Sequence, residues 1–153
     1  MKLSTRGRYG TRLMLELAKH YGKGPVNITE ISKTQGISVK YLEQIIIPLK
    51  KAKLIKSVRG PKGGHTLSKS PDKIFLLQIL KPLESHLTLV DCVSDDDTCE
   101  HIETCLIRPV WGKAYQAMMT IFKETSLADI LQSPANNPEG FDCGPGKGSE
   151  DVC

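Results

Sequence analysis

The chain has 153 residues, of which 39% are hydrophobic and 25% charged, with a formal net charge of +4. That suits one domain, or one small domain with an extension. No apolar run reaches the roughly 18 residues of a membrane span, and the polar, basic start lacks a signal-type stretch, so no membrane partner and a cytoplasmic location are expected.

The charge is unevenly placed: residues 1–70 hold 15 Lys and Arg against three acids, residues 71–153 hold six against 14. A half that attracts polyanions is joined to one that does not. From Thr5 to Tyr21, Tyr9, Leu13, Met14, Leu17, Ala18 and Tyr21 recur at helical spacing, which predicts a first helix. Asn27 with Glu30 forms a capping-box-like start for a short helix Ile28–Gln35, which Gly36 stops. Ser38 caps a third helix with an inward stripe of Leu42, Ile45, Ile46 and Leu49, and Pro48 predicts a kink within it. A short helix, a glycine turn and a second capped helix make a helix-turn-helix. The β-rich run Leu54–Val58, the turn Arg59–Gly64 and the run His65–Leu67 make a hairpin, read as a basic wing. Residues 72–84 read as a helix distorted by Pro82, and residues 86–105 as an acidic, cysteine-bearing loop.

A long helix follows from about Leu106 to Thr125. In it Ile107, Trp111, Ala114, Met118 and Ile121 fall at spacings of 4, 3, 4 and 3. Such a stripe can also be plain core, but little chain remains to cover it, and a homodimer seam is the expectation. Ser126–Leu131 adds a short capped turn of helix. Residues 133–153, with three Pro and four Gly, predict disorder. The fold class is therefore mostly α with a small β-wing. Residues 1–85 form the winged helix-turn-helix domain, 86–105 a sensor loop, 106–132 the dimerisation helix with a terminal turn, and 133–153 a tail.

The third helix presents Ser38, Lys40, Glu43, Gln44 and, further along, Lys51 outward. Gln pairs with adenine and Glu accepts from the cytosine amino group, while Ser and Lys hold phosphates. In the wing, Arg59 suits a narrow minor groove, Pro61 stiffens the tip and Lys62 adds charge. These residues predict binding to a double-stranded DNA operator by a homodimer. The alternative is that they are ordinary solvent-facing polar residues. No phosphate-cradling loop and no Ser/His/Asp or Cys/His grouping appears, so an enzyme survives only as a redox thiol enzyme on the loop cysteines.

Of five cysteines, Cys92, Cys99 and Cys105 lie within fourteen residues at the spacing Cys-x6-Cys-x5-Cys. Thiolates at that density suit a metal, as an iron–sulfur cluster or zinc, and the missing Cys-x2-Cys knuckle makes structural zinc the weaker option.

The opening Met1–Gly10, the segment Gln35–Gln44 and the run Val58–Gly64 resemble the Rrf-two family of bacterial winged-helix transcription regulators over roughly residues 1–131. The resemblance is closest in kind to its iron–sulfur cluster regulators. It implies crossed dimerisation helices, DNA-contacting roles for Glu43, Gln44 and Arg59, and a cluster (2Fe–2S or 4Fe–4S) on Cys92, Cys99 and Cys105. His65 stands where relatives usually carry Tyr. The first cysteine gap is six residues where the family's iron–sulfur cluster regulator has five. Arg108 stands where that regulator has a His ligand, and Arg8 where the nitric-oxide sensor has an acid. The fourth ligand is therefore open among His101, the loop acids Asp95, Asp96, Asp97, Glu100 and Glu103, and Cys143 or Cys153. A same-family regulator controlled by a partner protein or small metabolite, without a cluster, is the alternative.

Overall fold

A computed structural model describes residues 3–93 and 99–133. The expected tail lies almost wholly outside the described residues. In chain order there are α1 (Thr5–Lys19), α2 (Ile28–Gln35), α3 (Val39–Lys51), β1 (Ile55–Val58), β2 (Gly64–Leu67), a 3-10 turn Pro71–Lys73 and α4 (Leu76–Leu80). A second 3-10 turn Asp91–Val93, α5 (Arg108–Glu124) and α6 (Leu127–Gln132) follow.

Local chemistry explains the starts of the first three helices. The side-chain oxygens of Ser4, Asn27 and Ser38 accept from the backbone N–H groups of Gly7, Thr29 and Tyr41, each satisfying one donor that a helix leaves open. Gly36 closes α2 in the left-handed conformation at φ 66°. Pro48 lies inside α3, yet α3 runs unbroken to Lys51. A proline there removes the N–H that would bond the Gln44 carbonyl four residues back. Arg6, reaching across from α1, donates to that carbonyl at 3.4 Å instead.

The core is one apolar cluster. Leu13, Met14 and Leu17 of α1 pack with Ile31 of α2, Leu42, Ile45 and Leu49 of α3, and Ile55 and Leu67 of the hairpin. Full burial of each such side chain stabilises by roughly 1.5–3 kcal/mol. β1 and β2 pair antiparallel, with Ile55 opposite Leu67 and Val58 opposite Gly64.

Two expectations change. The first helix ends at Lys19 rather than Tyr21. The helix expected over 72–84 shrinks to the turn Pro71–Lys73 and α4, because the chain between them is spent on a long-range pairing. The Leu76 N–H donates to the Thr125 carbonyl at 3.0 Å and the Leu127 N–H to the Ile74 carbonyl at 2.9 Å. Leu127 is fully buried in the core. α6, which the sequence groups with the dimerisation helix, thus docks on the winged domain and anchors the C-terminal end of α5.

Candidate nucleic-acid interface and cysteine loop

Because Leu42, Ile45, Ile46 and Leu49 turn inward, the opposite side of α3 faces solvent. Ser38, Lys40, Glu43, Gln44 and Lys51 are all exposed there. The Ser38 oxygen is already the α3 cap, leaving its hydroxyl hydrogen as the donor it can offer. Among the described residues, Lys40, Lys51, Arg59 and Lys62 enter no ion pair, so their charge is available to phosphates.

The wing is held in place by its backbone. His65 exchanges hydrogen bonds with Val26 of the α1–α2 connection, at 2.9 Å from the Val26 N–H and 2.8 Å to the Val26 carbonyl. A Cβ on Gly64 would lie 2.3 Å from the Val26 carbonyl oxygen, so glycine is required for this approach. At the tip, Gly60 takes φ 121°, and the exposed Arg59, Pro61 and Lys62 project from the turn. The His65 side chain meets its cross-strand partner on β1, with Ser57 Oγ 3.1 Å from its Nδ1. Burial pushes the His65 pKa below its usual value. The positive charge of Lys50 lowers it further and Glu43 opposes both.

Sequence reading misses two features of how the helices are held together. Arg12 donates to the side chain and carbonyl of Gln35 at 3.1 and 2.6 Å, and the Gln35 amide donates to the buried Glu16 at 2.8 Å, fixing α2 against α1. Tyr9 and Tyr41 meet edge to face with ring centroids 5.8 Å apart, fixing α1 against α3. Nothing in local spacing marks such long-range pairs.

The cysteine loop lies against the start of α5. Arg108 donates from Nε to the Cys92 carbonyl at 3.0 Å. Val93, Cys105, Arg108, Gly112 and Tyr115 are among the walls of an open pocket of about 580 Å³. Cys92 and Cys105 are half-buried and Cys99 is exposed, all as free thiols. His101 is exposed in a turn where its carbonyl accepts from the Thr104 N–H at 3.2 Å. Among the described residues no group of three or more His, Cys, Asp or Glu side chains is gathered closely enough to hold a metal ion. The expected ligands are therefore chemically apt, since three free thiols sit on one short loop, but the described arrangement does not assemble them. Asp95, Asp96 and Asp97 lie outside the described residues, as do Cys143 and Cys153.

On α5, no residue is buried, and Ile107, Val110, Trp111 and Ile121 are large apolar side chains left exposed along it and at its cap. Among the described residues, no helix is long and apolar enough to cross a membrane.

Comparison with known proteins agrees with this fold. A family model described as Rrf2, iron-dependent transcriptional regulator, matches residues 3–133. The protein Rrf2 of Nitratidesulfovibrio vulgaris is 39% identical over 139 residues, covering 91% of this chain and 93% of that one. The solved structure of the global cysteine regulator CymR of B. subtilis superposes with a TM-score of 0.76 at 35% identity, covering 88% of this chain and 98% of that one. The T. potens IscR structure superposes with a TM-score of 0.71 at 34% identity, covering 92% and 97%.

Proposed function

The chain belongs to the Rrf2 family of transcriptional regulators, and from that premise we propose that it is a homodimeric, sequence-specific repressor or activator whose operator affinity depends on an iron–sulfur cluster. In this reading α3 enters the major groove with Gln44 and Glu43 at base edges, Lys40 and Ser38 at phosphates, and the wing residues Arg59, Pro61 and Lys62 at the flanking groove. The observation that carries the DNA reading is the outward face of α3 beside an anchored basic wing, with cations that no acid neutralises among the described residues.

Cys92, Cys99 and Cys105 would hold the cluster, with His101 as the candidate fourth ligand. When bound, a cluster supplies sensitivity to iron and oxidant. The chain's own part is mechanical. Holding three thiolates at one point would fix Cys92, Cys99 and Cys105 relative to one another, and the Arg108–Cys92 hydrogen bond would tie Cys92 to the first turn of α5. α5 ends in a segment pinned to the winged domain through Thr125 and Leu127. A shift at one end of α5 thus moves the DNA-reading domain against the dimer axis. This has the form of an allosteric coupling only if the two loop states differ in operator affinity. The description of the family as iron-dependent supports this reading.

Two observations favour a second reading. The described thiols are not gathered, and the pocket beside Cys105 is roomy enough for a small molecule. A regulator controlled by a metabolite or partner protein, without a cluster, fits those facts. Iron and acid-labile sulfide per chain, with an absorption spectrum of anaerobically purified protein, separates the two. Stoichiometric iron and sulfide with charge-transfer bands supports the cluster. A colourless, iron-free protein whose operator binding responds to an added metabolite or partner refutes it.

A further inference from the structure

We infer that Ile47 is a specificity-determining residue of the DNA-reading face, seated against the 5-methyl group of a thymine. The inference rests on the DNA-binding function proposed above. Helical geometry places it: with about 100° of rotation per residue, the direction opposite the buried stripe is occupied by Lys40, Gln44, Ile47 and Lys51. Ile47 is therefore in the middle of the outward line, one turn beyond Glu43 and one turn before Lys51. It is 56% exposed. Single exposed apolar residues are ordinary on protein surfaces, but this one stands at the centre of the face that the charges and the wing direct at DNA.

Ile47 shares the rim of an open pocket of about 400 Å³ with Arg6, Tyr41, Gln44, Ile45 and Pro48. The Arg6 bond to the carbonyl that Pro48 leaves open holds that rim together. Isoleucine is branched at Cβ and stiff in a helix, so its methyl groups are presented without much loss of freedom on binding. Isoleucine has no hydrogen-bonding atom to offer. Of the groups that base pairs present in the major groove, the thymine 5-methyl is the apolar one. Three residues of helix rise by about 4.5 Å, slightly more than the roughly 3.4 Å between base pairs. The thymine is thus one or two steps from the base that Gln44 contacts.

The test deletes the methyl group from the DNA. A duplex is first selected from a randomised library with the wild-type protein, and each thymine is then replaced by deoxyuridine. Binding is measured at one fixed salt concentration for wild type, Ile47→Val and Ile47→Ala. At one position per half-site, uracil should weaken wild-type binding about fourfold, the factor that corresponds to ~0.8 kcal/mol for one buried methyl. Ile47→Val should keep that effect and Ile47→Ala should abolish it, with melting temperatures unchanged because the side chain is largely exposed. If every uracil replacement is neutral, or Ile47→Ala shows the same methyl effect as wild type, Ile47 does not read thymine. Ile47 equally loses that role if Ile47→Ala alters only the sedimenting mass, because the side chain then meets protein. Failure to enrich any sequence overturns the DNA-binding reading itself, a result distinct from those.

Discussion

Replacing Trp111 and Ile121 together by Ala should dissociate the protein without unfolding it. Trp111 is 40% and Ile121 60% exposed, so each has about half its surface still to bury in a partner. Full burial of a large apolar side chain is worth roughly 1.5–3 kcal/mol, which leaves about 1 kcal/mol for each half-buried one. A symmetric dimer buries four such side chains, two from each protomer, for ~4 kcal/mol in all, or about a thousandfold in the dissociation constant. The winged core should be nearly indifferent, because α5 contributes no buried residue to it. Sedimentation equilibrium over a concentration series reads the dissociation constant, and a thermal melt of the variant reads the fold. Two results would refute the reasoning: a wild-type chain that is monomeric at micromolar concentration, or a double variant that associates as tightly as wild type.

Arg59→Ala should weaken operator binding by roughly 1–3 kcal/mol, as for loss of a groove-inserted arginine, measured by fluorescence anisotropy at moderate salt; unchanged binding removes the wing from the interface. Leu127→Ala should destabilise the winged domain by about 2–5 kcal/mol, the usual range for emptying a fully buried leucine site, although it lies 47 residues beyond α4 in the chain; a urea midpoint equal to wild type would show that α6 is not part of that domain. His65 has a folded-state pKa below its usual value, so the unfolded chain takes up the proton first as pH falls. Stability should therefore be independent of this group above its ordinary pKa of about 6.5 and decline below it. His65→Tyr should flatten that decline in melts between about pH 7.5 and 5, a window spanning that ordinary value, and an equally steep decline would assign the effect to another group.

The parts of the fold that are legible in the sequence are those with local causes. α2 occupies its expected bounds because Asn27 and Gly36 punctuate it chemically, and Ser38 does the same for the start of α3. The outward set on α3 follows from helical periodicity alone. The region 72–84 misleads because Ile74, Leu77 and Leu80 imitate a helical stripe, whereas the Ile74 carbonyl is engaged by Leu127, 53 residues away. Pro48 signals a disturbed helix, and the disturbance is real in the sense of a freed carbonyl. That Arg6 fills the gap is not legible in any local pattern. The cysteine spacing identifies donor atoms but not their convergence, since a loop between two anchored ends has no periodicity to reveal how it closes.

The most direct test of a cluster-dependent regulator is operator affinity in three forms of the protein: cluster-loaded, cluster-free, and a Cys92→Ala/Cys99→Ala/Cys105→Ala triple variant. All are measured on one selected duplex at one salt concentration, because salt alone moves affinity by orders of magnitude. The loaded form should differ from the other two by about 1–3 kcal/mol, the usual size of an allosteric coupling, and the triple variant should match the cluster-free protein. Equal affinity and equal sequence preference in all three would contradict a cluster-dependent switch.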